Sequence, residues 1–180
     1  MTAHRTLVIV AHPDLAASRI TAHLTAAIQD LGGVTIRDLA SAYPDRRVDA
    51  AAEQRLLQDQ DTIVLQFPWH WYSVPGVLKE WMDQVLTYGF AYGSGGNALQ
   101  GKKLQLVIST GGPEPSYTPH GYNRFTMAEL LRPLEATAHL CGLIMAEPLV
   151  LHSAPRVTQE ELDAHAARYR ELLSAVPATL

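Results

Sequence analysis

Three short segments of this 180-residue chain combine residue types and spacing that could do chemistry. Residues 67–72 read Phe-Pro-Trp-His-Trp-Tyr, which puts two of the chain's three tryptophans, Trp69 and Trp71, beside Pro68, His70 and Tyr72. Pro68 and Pro75 fix φ at either side and mark the stretch as a stiff aromatic loop, suited to holding a flat ring. The competing reading is that the two tryptophans cap a core, since aromatics dominate burial energetics. Residues 11–18, Ala-His-Pro-Asp-Leu-Ala-Ala-Ser, end where a helix is predicted to begin. Free amides at that end and the Ser18 hydroxyl could cradle a phosphate, with His12 or Arg19 adding a charge-assisted bond. An ordinary serine N-cap leaves the same signature. The third segment is Thr110-Gly111-Gly112-Pro113, where paired glycines let backbone amides approach a ligand closely. Gly-Gly-Pro is also plain turn chemistry.

The elements that must position these segments follow from periodicity. Residues 6–11 are a continuous apolar run of strand length, the pattern of a parallel strand covered on both faces. Residues 34–39 alternate more and read as a second strand nearer the edge, and residues 62–67, 104–109 and 143–151 complete a set of five, the last interrupted by Pro148. Helical patterns fill the intervals at 18–31, 49–58, 75–86 and 124–141, and a fifth at 158–173 follows the last strand. Ser18 is a candidate N-cap, Gly32-Gly33 a stop, Pro75 a first-turn proline, and Thr158 with Glu161 a capping box. Such alternation predicts one doubly wound, three-layer α/β domain, a five-stranded parallel sheet with helices on both faces. With strand order 2-1-3-4-5, the C-terminal ends of strands one, three and four meet at the topological switch point, so the three segments converge there. The long loops 88–102 and 111–123, with Tyr88, Phe90, Tyr92, Tyr117 and Tyr122, are of the length that is usually functional.

Other chemistries lose ground. With a net charge of −4 and basic residues in no stripe, nucleic acid is not an expected partner. The single cysteine, Cys141, rules out an intrachain disulfide or a cysteine-rich metal site and suits a reducing compartment. The first residues run straight into a short strand rather than a signal-type apolar stretch, so a cytoplasmic location is expected, with peripheral attachment at the inner membrane face left open. No Gly-x-Gly-x-x-Gly follows the first strand, and no P-loop, His-Glu-x-x-His or Gly-x-Ser-x-Gly occurs. The eight histidines lack metal-ligand spacing, so no metal site is expected.

Taken together, Ala11-His12-Pro13 with Ser18, the run from Phe67 through Pro75 to Asp83, Tyr88-Gly-Phe-Ala-Tyr-Gly and Thr110-Gly-Gly are a specific combination. It resembles the flavodoxin-like NAD(P)H:quinone oxidoreductases, and within them the bacterial branch that includes the ancillary oxidoreductase subunit of glutathione-regulated potassium efflux systems. The similarity runs over roughly residues 5–175. The resemblance implies a flavodoxin-like three-layer sandwich and a homodimer with one flavin per subunit, FMN or alternatively FAD, at the interface. It also implies a two-electron ping-pong cycle, in which NAD(P)H gives hydride to flavin N5 and a quinone or similar electrophile then takes it. Carried over by position, His12, Ser18, Arg19, Ile20 and Thr21 would hold the flavin phosphate and its surroundings. Pro68, Trp69, His70, Trp71 and Tyr72 would run along the ring edge, and Thr110, Gly111 and Gly112 would contact its pyrimidine end. Tyr117 and His120 are the candidates for stabilising charge on the reduced flavin. Many relatives carry Asn where this chain has Thr21 and a further glycine where it has Pro113, which lacks a backbone donor. The alternative role is that of a regulatory ancillary subunit of a potassium efflux transporter.

Overall fold

The computed structural model describes residues 4–174, in which strand and helix alternate from the first turn onward. Strands β1 (Thr6–Val10), β2 (Val34–Asp38), β3 (Thr62–Pro68), β4 (Lys103–Ser109), β5 (Ile144–Met145) and β6 (Leu149–Leu151) form one all-parallel sheet. Its order is β2-β1-β3-β4-β5, with β6 also pairing β4. The chain thus has the expected doubly wound α/β architecture.

Period-two alternation along the central strands divides the apolar residues between two cores. Leu7, Ile9, Leu65, Phe67, Leu106 and Ile108 face one side, where they pack against α3 (Ala50–Gln58), α4 (Gly76–Val85) and α6 (Arg132–Leu140) through Leu57, Leu78, Trp81 and Leu134. Val8, Val10, Val64 and Val107 face the other side, against Ile20 and Leu24 of α1 (Arg19–Ala26) and Leu162, Ala166 and Tyr169 of α7 (Gln159–Ser174). Each fully buried aliphatic side chain contributes about 1.5–3 kcal/mol of transfer free energy. The sheet is therefore rigid where its strands end. Cys141 is buried in the first core, and burial pushes its thiol up, as befits a structural residue.

Several elements differ from expectation. The predicted strand 143–151 is two short strands, because three steps along β4 from Leu104 to Val107 face four along the partner from Met145 to Leu149. Pro148 has no N–H to offer the ladder there, and the Gln105 side-chain amide fills the gap by donating to the Glu147 carbonyl at 2.7 Å. The predicted helix 124–141 is broken into α5 (Met127–Leu130), opened by a Thr126–Glu129 capping box, and α6, which carries Pro133 in its first turn. The first helix ends at Ala26 rather than near residue 31, and a short α2 (Leu39–Ala42) follows β2 on the Asp38 cap. The Thr158–Glu161 capping box forms as expected, with both reciprocal bonds present. Among the described residues, no helix is long and apolar enough to cross a membrane.

Two buried polar clusters brace the helices. Glu53 of α3 is fully buried and accepts from Arg37 Nε at 2.8 Å, Tyr43 Oη at 2.7 Å and Trp81 Nε1 at 2.9 Å. It thereby joins β2, α3 and α4 through one compensated carboxylate. On the opposite layer, His165 of α7 is 1% exposed, and its Nδ1 accepts from the Arg168 guanidinium at 3.3 Å. Burial first, and the neighbouring Arg168 charge second, lower its pKa from 6.5 to about 4. The unfolded chain therefore takes up a proton between pH 6.5 and about 4 that the folded chain refuses. Stability should fall by up to about 3 kcal/mol as pH drops through that window, with no further loss from this group below it. Urea denaturation across the window should show this slope in the parent and a flatter one in His165→Leu. An unchanged slope in the variant would exclude His165 as its source.

Candidate functional site

Hydrogen bonds between the central strands do not stop where the strands do. Ala11 N donates to Gln66 O at 2.9 Å, Trp69 N to Ser109 O at 2.8 Å, and Thr110 N to Leu151 O at 2.8 Å. Each of the three loops is thus pinned to its neighbour for one more residue, and all three leave the sheet at a common edge.

In the first loop, His12 Nδ1 accepts from Asp14 N at 3.1 Å and the Asp14 carboxylate accepts from Ala17 N. With Nδ1 acting as acceptor, the neutral His12 ring carries its proton on Nε2, a donor. Ser18 caps α1 by accepting from Thr21 N at 3.0 Å, which leaves its own hydroxyl proton to give outward. Ile20 and Thr21 are buried at 7% and 3%, so they can offer a ligand little beyond backbone. Gln66 of β3 holds this helical turn down, donating to Thr21 O at 3.1 Å and Thr25 Oγ1 at 2.8 Å. A cradle of amides, one hydroxyl, one imidazole N–H and the exposed Arg19 is a donor set for an anionic oxygen group.

The second loop is a tight reversal. His70 N donates to Ser73 O and Ser73 N to His70 O, with Trp71 and Tyr72 between them at φ 49° and 60°. This is a type I′ turn, normally the place of Asn-Gly, built here from two large aromatics in the left-handed region at roughly 1–2 kcal/mol each. Trp71 is 95% exposed, so packing of its ring does not repay that strain within the chain. What the turn achieves is to leave the Trp71 and Tyr72 amides without an acceptor among the described residues.

The third loop faces it across a cavity of about 550 Å³ lined by Trp69, Trp71, Tyr72, Gly111, Gly112, Pro113, Ser116, Tyr117, Tyr122, Asn123 and Arg156. Among the described residues, the Gly111 and Gly112 amides also lack acceptors. A Cβ on Gly111 would meet no protein atom within 4 Å, so nothing in the fold itself crowds that position. Trp69 Nε1 is likewise buried without a partner. Four unpaired amides around an aromatic-walled slot, with an anion cradle beside it, fit a planar, polar-edged heterocycle carrying a phosphate.

The structure brings Trp69, Trp71, Tyr72, Gly111, Gly112 and Tyr117 together on that cavity, with Pro68 and His70 flanking in the same loop. His12, Ser18, Arg19, Ile20 and Thr21 lie in the loop after β1 and the first turn of α1, and they do not line that cavity. Thr110 is fully buried, and its hydroxyl donates inward to Gly112 O at 2.9 Å, so it shapes the turn rather than the cavity surface. His120 is exposed and does not line the cavity. The loop doubles back at Gly121, where a Cβ would lie 2.4 Å from Pro115 O, and the bond from Asn123 N to Ser116 O brings Asn123 inward instead. Asn123 Oδ1 then accepts from Tyr72 Oη at 3.1 Å, tying the second loop to the third. Sequence reasoning missed Asn123, Arg156 and the half-buried His152, whose Nδ1 lies 2.9 Å from Thr110 Oγ1. Arg156 and His152 lie some forty residues beyond the glycine turn, and no local motif marks them.

Comparison with known proteins bears on this arrangement. A family model described as a flavodoxin-like fold matches residues 4–173. The glutathione-regulated potassium-efflux system ancillary protein KefG of Cronobacter sakazakii is 44% identical over 173 residues, covering 94% of this chain and 92% of its own. General stress protein 14 of Treponema denticola, solved in complex with FMN, aligns with a TM-score of 0.91 at 39% identity over 95% of this chain and 98% of its own. An NADPH-quinone reductase from P. pentosaceus aligns with a TM-score of 0.88 at 35% identity over 96% of this chain and 99% of its own.

The strain in the aromatic turn is open to measurement. Replacing its centre by the residues that geometry prefers, Trp71→Asn with Tyr72→Gly, should raise the unfolding free energy by roughly 1–2 kcal/mol even though the exposed Tyr72–Asn123 bond is lost. Thermal or urea unfolding reads the change. A net loss of stability would mean that the rings contribute more packing than their exposure suggests.

Proposed function

The chain belongs to the flavodoxin-like family, and on that premise we propose that it is an FMN-dependent NAD(P)H:quinone oxidoreductase acting as a homodimer. The observation that carries this reading is the set of unpaired amides at Trp71, Tyr72, Gly111 and Gly112 around one aromatic-walled cavity. Bound flavin would supply hydride acceptance at N5 from NAD(P)H and hydride donation to a quinone or similar electrophile, in a ping-pong cycle. The residues of this chain do the rest. The Ser18 hydroxyl, the His12 ring, Arg19 and the first amides of α1 hold the phosphate. The Trp71 and Tyr72 amides meet the polar edge of the ring, and those of Gly111 and Gly112 meet its pyrimidine end. Tyr117 and Arg156, both on the cavity at the glycine turn, are the donor and the cation nearest to where negative charge accumulates. Trp69, Trp71 and Tyr72 wall a single slot in which nicotinamide and quinone take turns.

Homodimer formation is supported by exposed aromatic surface, two residues of which line the cavity. Trp71 at 95%, Tyr122 at 89%, Tyr88 at 66% and Phe125 at 53% exposure are large apolar groups, and Trp71 and Tyr122 line the cavity itself. A second copy covering this surface would dry the slot and give the Trp71 ring a packing partner. The name of the Cronobacter relative favours a second reading, in which the chain docks on a potassium efflux transporter and its redox chemistry serves that role. Co-purification with such a transporter would separate that reading from a free-standing reductase.

The purified protein should be yellow, or become so on adding FMN, and should bleach anaerobically with NADPH. A colourless protein that takes up neither FMN nor FAD overturns the proposal. Tyr117→Phe should slow flavin reduction by about a hundred- to a thousandfold, the scale of a lost charge-stabilising donor. His120→Ala, outside the cavity, should leave the rate unchanged. Equal rates for Tyr117→Phe and the parent would remove Tyr117 from the chemistry.

A further inference from the structure

Behind the glycine turn lies a second layer of contacts that the reductase reading does not use. The segment after β6 closes on the turn through three bonds: Ala154 N to Thr110 O at 2.9 Å, Ser153 N to Gly112 O at 3.0 Å, and a contact between His152 Nδ1 and Thr110 Oγ1 at 2.9 Å. Ser153 adopts φ 59° to make its bond, a left-handed conformation uncommon for serine.

The direction of the third bond follows from proton counting. A hydroxyl has one proton, and that of Thr110 is given to Gly112 O at 2.9 Å. Toward His152, therefore, Thr110 Oγ1 can only accept, and the donor is His152 Nδ1–H. A planar trans peptide holds its C=O and N–H in opposite directions. Thr110 O points back at Ala154, so the Gly111 N–H of the same peptide points away from the 152–154 segment. Gly112 O, taken up by Ser153 N and the Thr110 hydroxyl, likewise aims the Pro113 ring the other way, and Pro113 lines the cavity. The His152 ring also lies 5.3 Å from the ring of Tyr117, tilted by 39°. Tyr117 atoms are in turn 3.5 Å from where a Cβ on Gly112 would sit. One imidazole thus touches both the residue that orients the glycine turn and the candidate donor beside it.

We propose that His152 is a positioning residue of the flavin site, acting through Thr110 to hold the glycine turn that aims the Gly111 amide and through its ring face to seat Tyr117. The inference rests on the flavin reading above. His152 does not line the candidate flavin cavity; it lines a neighbouring one of about 680 Å³ behind the turn, which shares Pro113 and Arg156 with the first and is also lined by Glu114, Glu161, His165 and Arg168. Burial lowers the pKa of His152, and Glu114 partly opposes that.

The test compares substitutions that separate the Nδ1 donor from bulk. His152→Leu keeps volume and loses the donor, whereas the side-chain amide of His152→Asn sits close to where Nδ1 was and can still donate to Thr110. FMN affinity, read by fluorescence quenching, should weaken about tenfold in His152→Leu, the scale of one lost buried hydrogen bond, and recover most of that in His152→Asn. Thr110→Val should weaken binding to a similar degree, and the double variant His152→Leu with Thr110→Val should add little, as expected for one shared interaction. The absorption bands of bound FMN should shift in the leucine and valine variants and return in the asparagine variant. If parent and variants bind FMN alike, or if leucine and asparagine are equally impaired, the proposal fails while the flavin reading stands. If the parent binds no flavin, both fail. Should His152→Leu not fold, His152→Met, which likewise keeps bulk without the Nδ1 donor, takes its place against His152→Asn.

Discussion

The continuation of the parallel ladder beyond the strand ends is the constraint on which the site depends. In a parallel ladder the residue after the last pair can still donate to the partner's carbonyl. Here Ala11, Trp69 and Thr110 each donate once more to a neighbour, to Gln66, Ser109 and Leu151. Because β1, β3 and β4 are buried between two helix layers, these bonds sit at the edge of a rigid slab rather than on a mobile surface. Loops that begin from fixed and level points can hold unpaired amides at a fixed separation, which an irregular surface loop could not do.

Strained backbone and unpaired amides meet where those loops do. Trp71 and Tyr72 stand in left-handed backbone, Ser153 does so behind the glycine turn, and four amides and the Trp69 indole N–H lack partners around the same cavity. At Glu53 the fold compensates a buried charge in full. Glu53 takes three donors and so holds α4, the helix that starts just after the aromatic turn, against α3 and β2. The physical argument for a ligand is that unpaired amides, strained backbone and a buried indole N–H converge on one cavity.

How much of this was legible in the sequence depended on distance along the chain. The apolar runs at 6–11, 62–67 and 104–109 and the caps at Ser18 and Thr158 are local signals and appear as expected. The aromatic run and Gly111-Gly112 announced themselves by composition, although their role as backbone donors shows only in the turn geometry. The helix expected over 124–141 broke because the Thr126–Glu129 capping box starts a helix later than the apolar period does and Pro133 cannot continue one through its own position. Tyr117 and His120 stood equal on spacing alone. The fold-back at Gly121 separates them, bringing Tyr117 and Asn123 to the cavity and leaving His120 outside it.

By itself the sequence determined the alternation of elements, the parallel sheet and the family, because period-two and helical patterns and the long aromatic motif are all encoded within a few residues of each other. Tertiary structure alone decided which polar groups are used up and which remain free. Thr110 looks like a ligand residue in sequence, yet its hydroxyl is spent on Gly112 and held by His152. Arg156 and His152 look like nothing in sequence, yet the return of the chain after β6 sets one on the cavity and the other behind it. The reason is that a hydrogen-bonding group has few partners to give, and which partner takes it is settled by residues distant in the chain that only the closed sheet brings within 3 Å.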